Sequence, residues 1–286
     1  MRVLVTGIDG FVGSHTAEFL LRIPGVEVHG TVLDPFTLPN IEHIRHSLHL
    51  HKANLLEREL ITALFNEIRP DRVIHLAGQA FVPTAFADPV PTFQANVLGG
   101  VHVLEAARLL KTTGGVATSV LVVSTGEVYG KPVRLPITED LLLVPNNPYA
   151  ASKASIDIIA QQYGEAFGLN VIVVRPFNHA GPRQSPMFVC SDFSKQIAEV
   201  AAGKREPRIL VGNIDAQRDF TDVRDVVRAY WLLLERTRGG TYNVCSGKPR
   251  AVREILDTLS KLAGTRIDCS VDDSRLRTYD IPVVYG

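Results

Sequence analysis

Cysteine is scarce in this chain of 286 residues: only Cys190, Cys245 and Cys269 are present, far apart and without CxxC spacing. So few, odd in number and scattered, they exclude a disulfide framework and read as ordinary reduced thiols of an intracellular protein. An excess of either charge is also missing, because 30 Lys and Arg balance 30 Asp and Glu. Without a broad basic surface the chain lacks what binding to a phosphate backbone requires, so nucleic acid is not an expected partner. A local basic patch for a phosphorylated small molecule stays compatible with that balance. No apolar run is long enough to span a bilayer, and the chain opens on the strand-like RVLVT rather than on a leader. The expectation is a cytoplasmic protein with no membrane partner. Internal repeats and low-complexity segments are absent as well.

What is present is a regular alternation. Apolar runs rich in Val, Ile and Leu start at Arg2 (RVLVT), Val26 (VEVHGTV), Arg72 (RVIHLAG), Ser119 (SVLVVS) and Asn170 (NVIVVRP). Segments of helical period lie between them, among them FVGSHTAEFLLRI, LERELITALFNEI and FQANVLGGVHVLEAARLL. Strands alternating with helices predict βαβ units and a mostly parallel sheet covered on both faces. After Pro176 the pattern changes. FNHAGPRQSPMF is dense in Gly, Pro and Asn and reads as a loop, and short strands (RILVG, GTYNVCSG) then mix with helices. The predicted fold is α/β: a Rossmann-type doubly wound parallel sheet over 1–176, rejoined by about 213–246, with a smaller C-terminal α/β substrate lobe in 177–286.

TGIDGFVG follows the first strand and opens the first helix, with Gly7, Gly10 and Gly13 three apart around Phe11 and Val12. Glycine permits the tight turn, lets the backbone approach a pyrophosphate, and lets helix and strand pack closely. The anion would sit on the helix N-terminus, where N–H groups and the dipole favour it. Asp34 follows Gly13 by twenty-one residues, at the end of the second strand. A carboxylate there suits the ribose hydroxyls of NAD(H) and repels a 2′-phosphate, which leans the cofactor towards NADH. The bland alternative is an Asp-Pro turn.

The run SVLVV leads into STGEVYG, placing Thr125 and Glu127 where a parallel strand ends and ligands gather. NPYAASK precedes the helical run ASIDIIAQQYGEAFG. With the helix begun by Tyr149, Tyr149 and Lys153 at i and i+4 share one face. A tyrosine with its ordinary pKa of about 10 is a poor acid or base unless a neighbouring cation lowers it. Such a Tyr–Lys pair is common on helices. Joined to the glycine motif and to Thr125, it becomes specific.

TGxxGxxG, Ser124-Thr125 and Tyr149-x-x-x-Lys153 resemble the extended short-chain dehydrogenase/reductase superfamily over nearly the whole chain. The resemblance implies a catalytic Thr125–Tyr149–Lys153 set and an NAD(P)H cofactor. Thr125 would bond the substrate oxygen, Tyr149 would shuttle the proton, and Lys153 would hold the nicotinamide ribose and lower the tyrosine pKa. It also implies Asn54 and Leu55 near adenine, Leu76, Ala77 and Gly78 along the cofactor, Pro176 beside it, and Asn96 supporting the site. A homodimer through the Asn96 and Tyr149 helices is expected on the same ground.

VIHLAGQAFVPTAFADPVPTFQANVLG, RPFNHAGPRQSPMFV and VGNIDAQRDFTDVRDVVRAYWLL followed by YNVCSG are similar to GDP-4-keto-6-deoxy-D-mannose reductases, which form GDP-D-rhamnose. That implies a GDP-deoxyhexose substrate, with Asn178 on the sugar or its phosphate and Arg218 and Arg277 clamping the diphosphate. Lys195 is a further candidate. The structural alternatives are an ion pair with Asp219 or Asp222 for Arg218, and solvated surface charges for Arg277 and Lys195. Nucleotide-sugar 4,6-dehydratases carry a glutamate where Glu127 stands. Those acting on dTDP-glucose have an acid just before it, where this chain has Gly126. A dehydratase or 4-epimerase with tightly held cofactor is therefore the second reading, and a dinucleotide sensor the non-enzymatic one. Glu127 either acts as a base or bonds sugar hydroxyls. His43, His46, His49 and His51 lack placed acidic or cysteine partners, so no metal is expected. The relatives continue through a further strand and helix beyond VVYG, so a lobe incomplete at its C-terminal end is expected.

Overall fold

In the computed structural model, residues 1–264, 267–275 and 280–286 are described. The apolar runs form strands β1 (Arg2–Thr6), β2 (Glu27–Val32), β4 (Arg72–His75), β5 (Ser119–Val123) and β6 (Asn170–Pro176), and the more polar HLHK forms β3 (His49–Lys52). Three strands then lie outside this sheet: β7 (Asn178–Ala180), β8 (Arg208–Val211) and β9 (Gln217–Asp222). The chain returns with β10 (Gly240–Val244), which pairs with β6. The large sheet has the order β10-β6-β5-β4-β1-β2-β3, and all its pairs are parallel.

Helices cover both faces, which is why the central strands are apolar throughout rather than alternating. The helices are α1 (Phe11–Leu20), α2 (Arg58–Ile68), α3 (Val82–Ala87), α4 (Pro89–Phe93), α5 (Gly99–Gly114), α6 (Pro148–Phe167), α7 (Val189–Ala201), α8 (Val223–Arg236) and α9 (Val252–Ala263). One face buries Leu4, Val73, Val120 and Val173 against Phe65 of α2, Leu104 of α5 and Ile156 of α6. The other buries Val3, Val5, Ile74 and Leu121 against Ala17 of α1 and Tyr230 and Trp231 of α8. This is a doubly wound Rossmann-type α/β fold.

The remaining strands build a smaller unit around β9. It pairs in parallel with β7 and with β13 (Val283–Val284), and antiparallel with β11 (Pro249–Ala251). β12 (Asp268–Val271) runs parallel to β8. Phe193 and Ile197 of α7, Val252 and Leu256 of α9, and Ile209 and Val211 of β8 form its core. Of the segment 213–246, α8 and β10 join the large sheet, whereas β9 belongs to the small one.

Two details differ from the plain periodic pattern. The run FQANVLGGVHVLEAARLL is not one helix: α4 passes through a π-helical turn, Gln94–Leu98, before α5. The extra residue in that turn accompanies a buried Asn96, a polar side chain that an apolar helix stripe would not place inside. α6 begins at Pro148, with Asn147 as its cap accepting from Ala150 N at 2.8 Å.

A buried ion pair joins the elements that carry the site. Arg175 of β6 and Asp157 of α6 are 4% and 0% exposed. The guanidinium donates to the carboxylate through Nε (2.8 Å) and Nη2 (3.0 Å). Its Nη1 donates to the Tyr129 hydroxyl at 2.8 Å, and that hydroxyl donates to Asn243 Oδ1 of β10 at 2.8 Å. Removing one partner of such a pair leaves an uncompensated buried charge. Asp157→Ala is therefore expected to lower the free energy of urea unfolding by about 3–5 kcal/mol; a loss below about 1 kcal/mol would show that the pair is solvated or replaceable.

Candidate active site

The first βα turn needs glycine on steric grounds. Gly7 has φ +66°, and a Cβ there would sit 3.0 Å from Ala77 Cα. A Cβ on Gly13 would lie 2.2 Å from the Gly7 carbonyl oxygen and 2.8 Å from Ile8 C. Gly10 is the N-cap of α1 and has extended backbone and no side-chain cap, so the helix end is open to an anion. This cradle fits a dinucleotide diphosphate. Val12 packs on the core below it, and the Phe11 ring stacks on His179 at 6.0 Å.

The strand end facing the cradle is braced by a pair the sequence reading passed over. Thr6 Oγ1 accepts from Leu76 N (3.2 Å) and Ala77 N (3.1 Å), so its own proton goes to His75 Nδ1, 2.8 Å away. Burial and the Lys153 charge push the His75 pKa down to about 3, keeping the imidazole neutral as that bond requires. The signal was the Thr that opens TGxxGxxG and the His of HLAG. Further along, Asn54 lies in an exposed turn, accepting from Leu56 N at 3.1 Å, and Leu55 is buried with its carbonyl on His102. Asp34 stands exposed two residues beyond the end of β2. A hydrogen bond from Phe36 N, then one from Thr37, hold its carboxyl below the usual range.

The catalytic candidates converge at the ends of β4 and β5 and the start of α6. Thr125 follows β5 in extended conformation, caps the turn Gly126–Tyr129, and has its hydroxyl beside that of Tyr149, where it favours the ionised phenol. Lys153, buried one helical turn beyond Tyr149, donates through Nζ to the Val123 carbonyl at 2.9 Å. Burial pulls the Lys153 pKa down to about 8. Asn96 accepts from Gln79 N (2.8 Å) and donates to Ser152 Oγ (2.9 Å), tying the π turn to α6. Gly78 makes room for this group: a Cβ there would be 2.5 Å from Asn96 Oδ1 and 3.7 Å from Lys153 Nζ. Pro176 is buried at the end of β6.

Tyr149 departs from the electrostatics expected of it. Burial, followed by the negative charge of Glu127, raises its pKa above that of a free tyrosine, and only the Thr125 hydrogen bond opposes this. The Lys153 ammonium points at the strand carbonyl instead. Glu127 is held by Asn147 Nδ2 at 2.9 Å, the same residue that caps α6. A Cβ on Gly126 would approach the Phe177 ring at 3.2 Å, so the place before Glu127 is filled by an aromatic ring and houses no acid.

The substrate candidates are spread more widely. Asn178 opens β7, exposed, just past Pro176. Arg218 of β9 donates to Asp280 Oδ1 (2.6 Å) and the Ile281 carbonyl (2.7 Å). The two carboxylates considered for it are engaged elsewhere: Asp219 accepts from Ser246 and Gly247, and Asp222 caps α8. Lys195 is exposed on α7 with Glu199 at 3.8 Å. Arg277 lies outside the described residues. The histidines divide, His43 pairing with Glu18 while His49 and His51 stack on His29. Among the described residues no group of His, Cys, Asp or Glu is arranged to hold a metal ion, and no helix is long and apolar enough to cross a membrane.

A parallel doubly wound sheet, a glycine cradle and a Thr–Tyr–Lys set at the strand ends define an extended short-chain dehydrogenase/reductase. Within that class, the family model described as GDP-mannose 4,6 dehydratase matches residues 4–280, and the chain belongs to this family. It is 39% identical over 279 residues to GDP-6-deoxy-D-mannose reductase of Pseudomonas aeruginosa, covering 96% of this chain and 84% of that one. The structure of RMD from Pseudomonas aeruginosa complexed with NADPH superposes with a TM-score of 0.83 at 38% identity, covering 100% of this chain and 89% of that one. UDP-glucose 4-epimerase of Thermus thermophilus, in complex with NAD, gives 0.86 at 32% identity, covering 100% and 90%.

Lys153 connects the site to stability. Its folded pKa of about 8 lies below the ordinary 10.5, so the unfolded chain binds the extra proton between those values. The cost of burying the ammonium is thus fully present below pH 8 and relieved as pH rises towards 10.5. Lys153→Met is expected to be more stable than wild type at pH 7, with an advantage that shrinks between pH 8 and 10, and to be inactive. A variant less stable at pH 7, or an advantage independent of pH, would contradict this burial cost.

Proposed function

We propose that the chain is a nucleotide-sugar oxidoreductase that reduces the C4 ketone of GDP-4-keto-6-deoxy-D-mannose to GDP-D-rhamnose with NAD(P)H. The observation that carries this reading is the pairing of a Thr125–Tyr149 hydroxyl couple with a Gly126 position closed by Phe177. A ketone can be polarised and protonated there, while the acid that would expel a hydroxyl as water is absent from that position. The similarity to a GDP-6-deoxy-D-mannose reductase supports the same assignment.

When bound, the reduced nicotinamide supplies the hydride. The chain's own groups do the rest. Gly7, Gly10 and Gly13 seat the diphosphate, with Asn54, Leu55 and Asp34 on the adenosine side. Lys153 and Asn96 orient the nicotinamide end. Thr125 hydrogen-bonds the carbonyl oxygen, and Tyr149 gives its phenolic proton to that oxygen as charge develops on it. Its raised pKa keeps the phenol protonated and ready to donate. The fixed carboxylate of Glu127, on Asn147, accepts hydroxyls of the sugar. Asn178 and Arg218 flank the sugar diphosphate, with Arg277 as a further candidate.

Asp34 favours a free ribose 2′-hydroxyl and hence NADH, against which stands the NADPH complex of the Pseudomonas protein. Exposed Val90, Phe93 and Leu98 beside the Asn96 turn and exposed Ile158 on α6 support a homodimer through those helices. A second reading, GDP-mannose 4,6-dehydration with Glu127 as base, is favoured by the family match.

Tyr149→Phe is expected to lower kcat on the keto sugar by roughly a hundred- to ten-thousand-fold, with cofactor affinity nearly intact. Full activity in that variant would remove Tyr149 from the mechanism. Asp34→Asn is expected to raise kcat/KM with NADPH relative to NADH, and an unchanged ratio would dissociate Asp34 from cofactor choice. GDP-mannose with NAD(P)⁺ is the control. Formation of the 4-keto sugar from it would favour the second reading.

A further inference from the structure

Among the described residues only Arg69 and Arg183 combine a side chain with positive φ. Arg69 is the left-handed cap of α2, an ordinary helix ending. Arg183 (φ +72°) caps no helix; it sits in the turn after β7, where Gln184 N bonds the Gly181 carbonyl at 3.3 Å. The third place of such a Gly-Pro-led turn takes positive φ, which suits glycine and is strained for a residue with a Cβ, so contacts of its side chain help to hold it.

The surroundings are one stripe of α1. Phe11, His15 and Glu18 stand at i, i+4 and i+7 and meet the loop that follows β6. Arg183 Nη1 and Nη2 donate to the two oxygens of Glu18 at 2.5 and 2.9 Å, and Nη2 donates to His15 Nδ1 at 2.8 Å. That fixes the His15 proton on Nε2, which donates to the Pro182 carbonyl at 3.0 Å. His43 adds a contact to Glu18 at 2.7 Å, and Arg183 first, then His43, hold the Glu18 carboxyl down at about 2. Two turns nearer the diphosphate seat, the Phe11 ring stacks on His179 with planes 11° apart. His179 is bonded in turn to the Phe177 carbonyl (3.0 Å), and its own carbonyl accepts from Gln184 Nε2 (3.0 Å).

The strand that begins with Asn178 is thus pinned at two points to the helix whose N-terminus seats the cofactor diphosphate. We propose that the Arg183–Glu18–His15 clamp is a positioning device that couples the sugar-side strand to the cofactor helix, so that each ligand strengthens binding of the other. The identity of the second ligand rests on the nucleotide-sugar reading above; the mechanical coupling does not. A bidentate guanidinium on a carboxylate is directional, unlike a lysine at the same place.

The test uses the full chain as wild type, Arg183→Ala, Arg183→Lys and Glu18→Gln, each checked for folding by thermal melting. Hydrogen exchange is followed with and without saturating NADH or NADPH. In wild type, cofactor is expected to slow exchange of the amides between Asn178 and Gln184. That protection should vanish in Arg183→Ala and shrink in Arg183→Lys and Glu18→Gln. In kinetics the KM for GDP-4-keto-6-deoxy-D-mannose should rise more than kcat falls, the pattern of lost ground-state binding. Cofactor should tighten sugar-nucleotide binding by about 5-fold or more in wild type and little in the variants. Equal protection in wild type and the folded variants, or none in wild type, overturns the clamp. Should Arg183→Ala not fold, Glu18→Gln decides in the same way. A wild type inert towards the keto sugar that still shows clamp-dependent protection refutes the proposed substrate and leaves the clamp standing.

Discussion

A single guanidinium holds together the parts on which the site depends. Arg175 belongs to β6, its carboxylate partner Asp157 to the helix of Tyr149 and Lys153, and its hydroxyl partner Tyr129 to the turn that follows Thr125. Asn243 of β10 completes the set, so the edge strand added late in the chain is locked to the same point. The pair lies deep enough that the alternative to satisfying it is an unpaired charge in the core. Tyr149, Lys153 and Asp157 are spaced by four along α6, so one helix face carries the proposed proton donor, the buried ammonium and the anchor.

Around that anchor the site trades stability for poised chemistry. Lys153 is kept charged in a place that resists charge, and Tyr149 beside a carboxylate that opposes its ionisation. Burial and the Glu127 charge bias the phenol towards its protonated form, with the Lys153 ammonium turned to the Val123 carbonyl. The protonated form is what a reductase must hold ready. Gly126 narrows the chemistry further, because its missing side chain accommodates the Phe177 ring rather than a second acid. Reduction needs one proton delivered to one oxygen. Elimination also needs an acid for the departing hydroxyl.

The periodic signals were legible. Five of the seven strands of the large sheet and the glycine turn follow from apolar runs and turn residues that act over a few positions, and GTYNVCSG marks a sixth strand. Thr125, Tyr149 and Lys153 stand out as candidates because each has a local signature at a strand end or a helix start. What was not legible is non-local. The π turn that buries Asn96 leaves the helical period intact to the eye. The Thr6–His75 brace joins residues 69 apart, and Arg183 reaches Glu18 across 165. The Gly-Pro pair of GPRQ suits a turn with positive φ at its arginine, but nothing in those four residues announces the contact with α1. For Arg218, expected to clamp a diphosphate or to pair with Asp219 or Asp222, the carboxylate at hand is Asp280, 62 residues on and beyond the reach of a reading confined to its neighbours.

Whether the site delivers hydride to the sugar for good, or borrows and returns it, is decided by following the hydride itself. The chain is incubated with GDP-4-keto-6-deoxy-D-mannose and a nicotinamide cofactor deuterated at the transferable position, and the product is read by mass and NMR. Reduction predicts one cofactor oxidised per sugar and deuterium retained at C4 of GDP-D-rhamnose. A cofactor that remains reduced, or a sugar that carries no deuterium at C4, would contradict it.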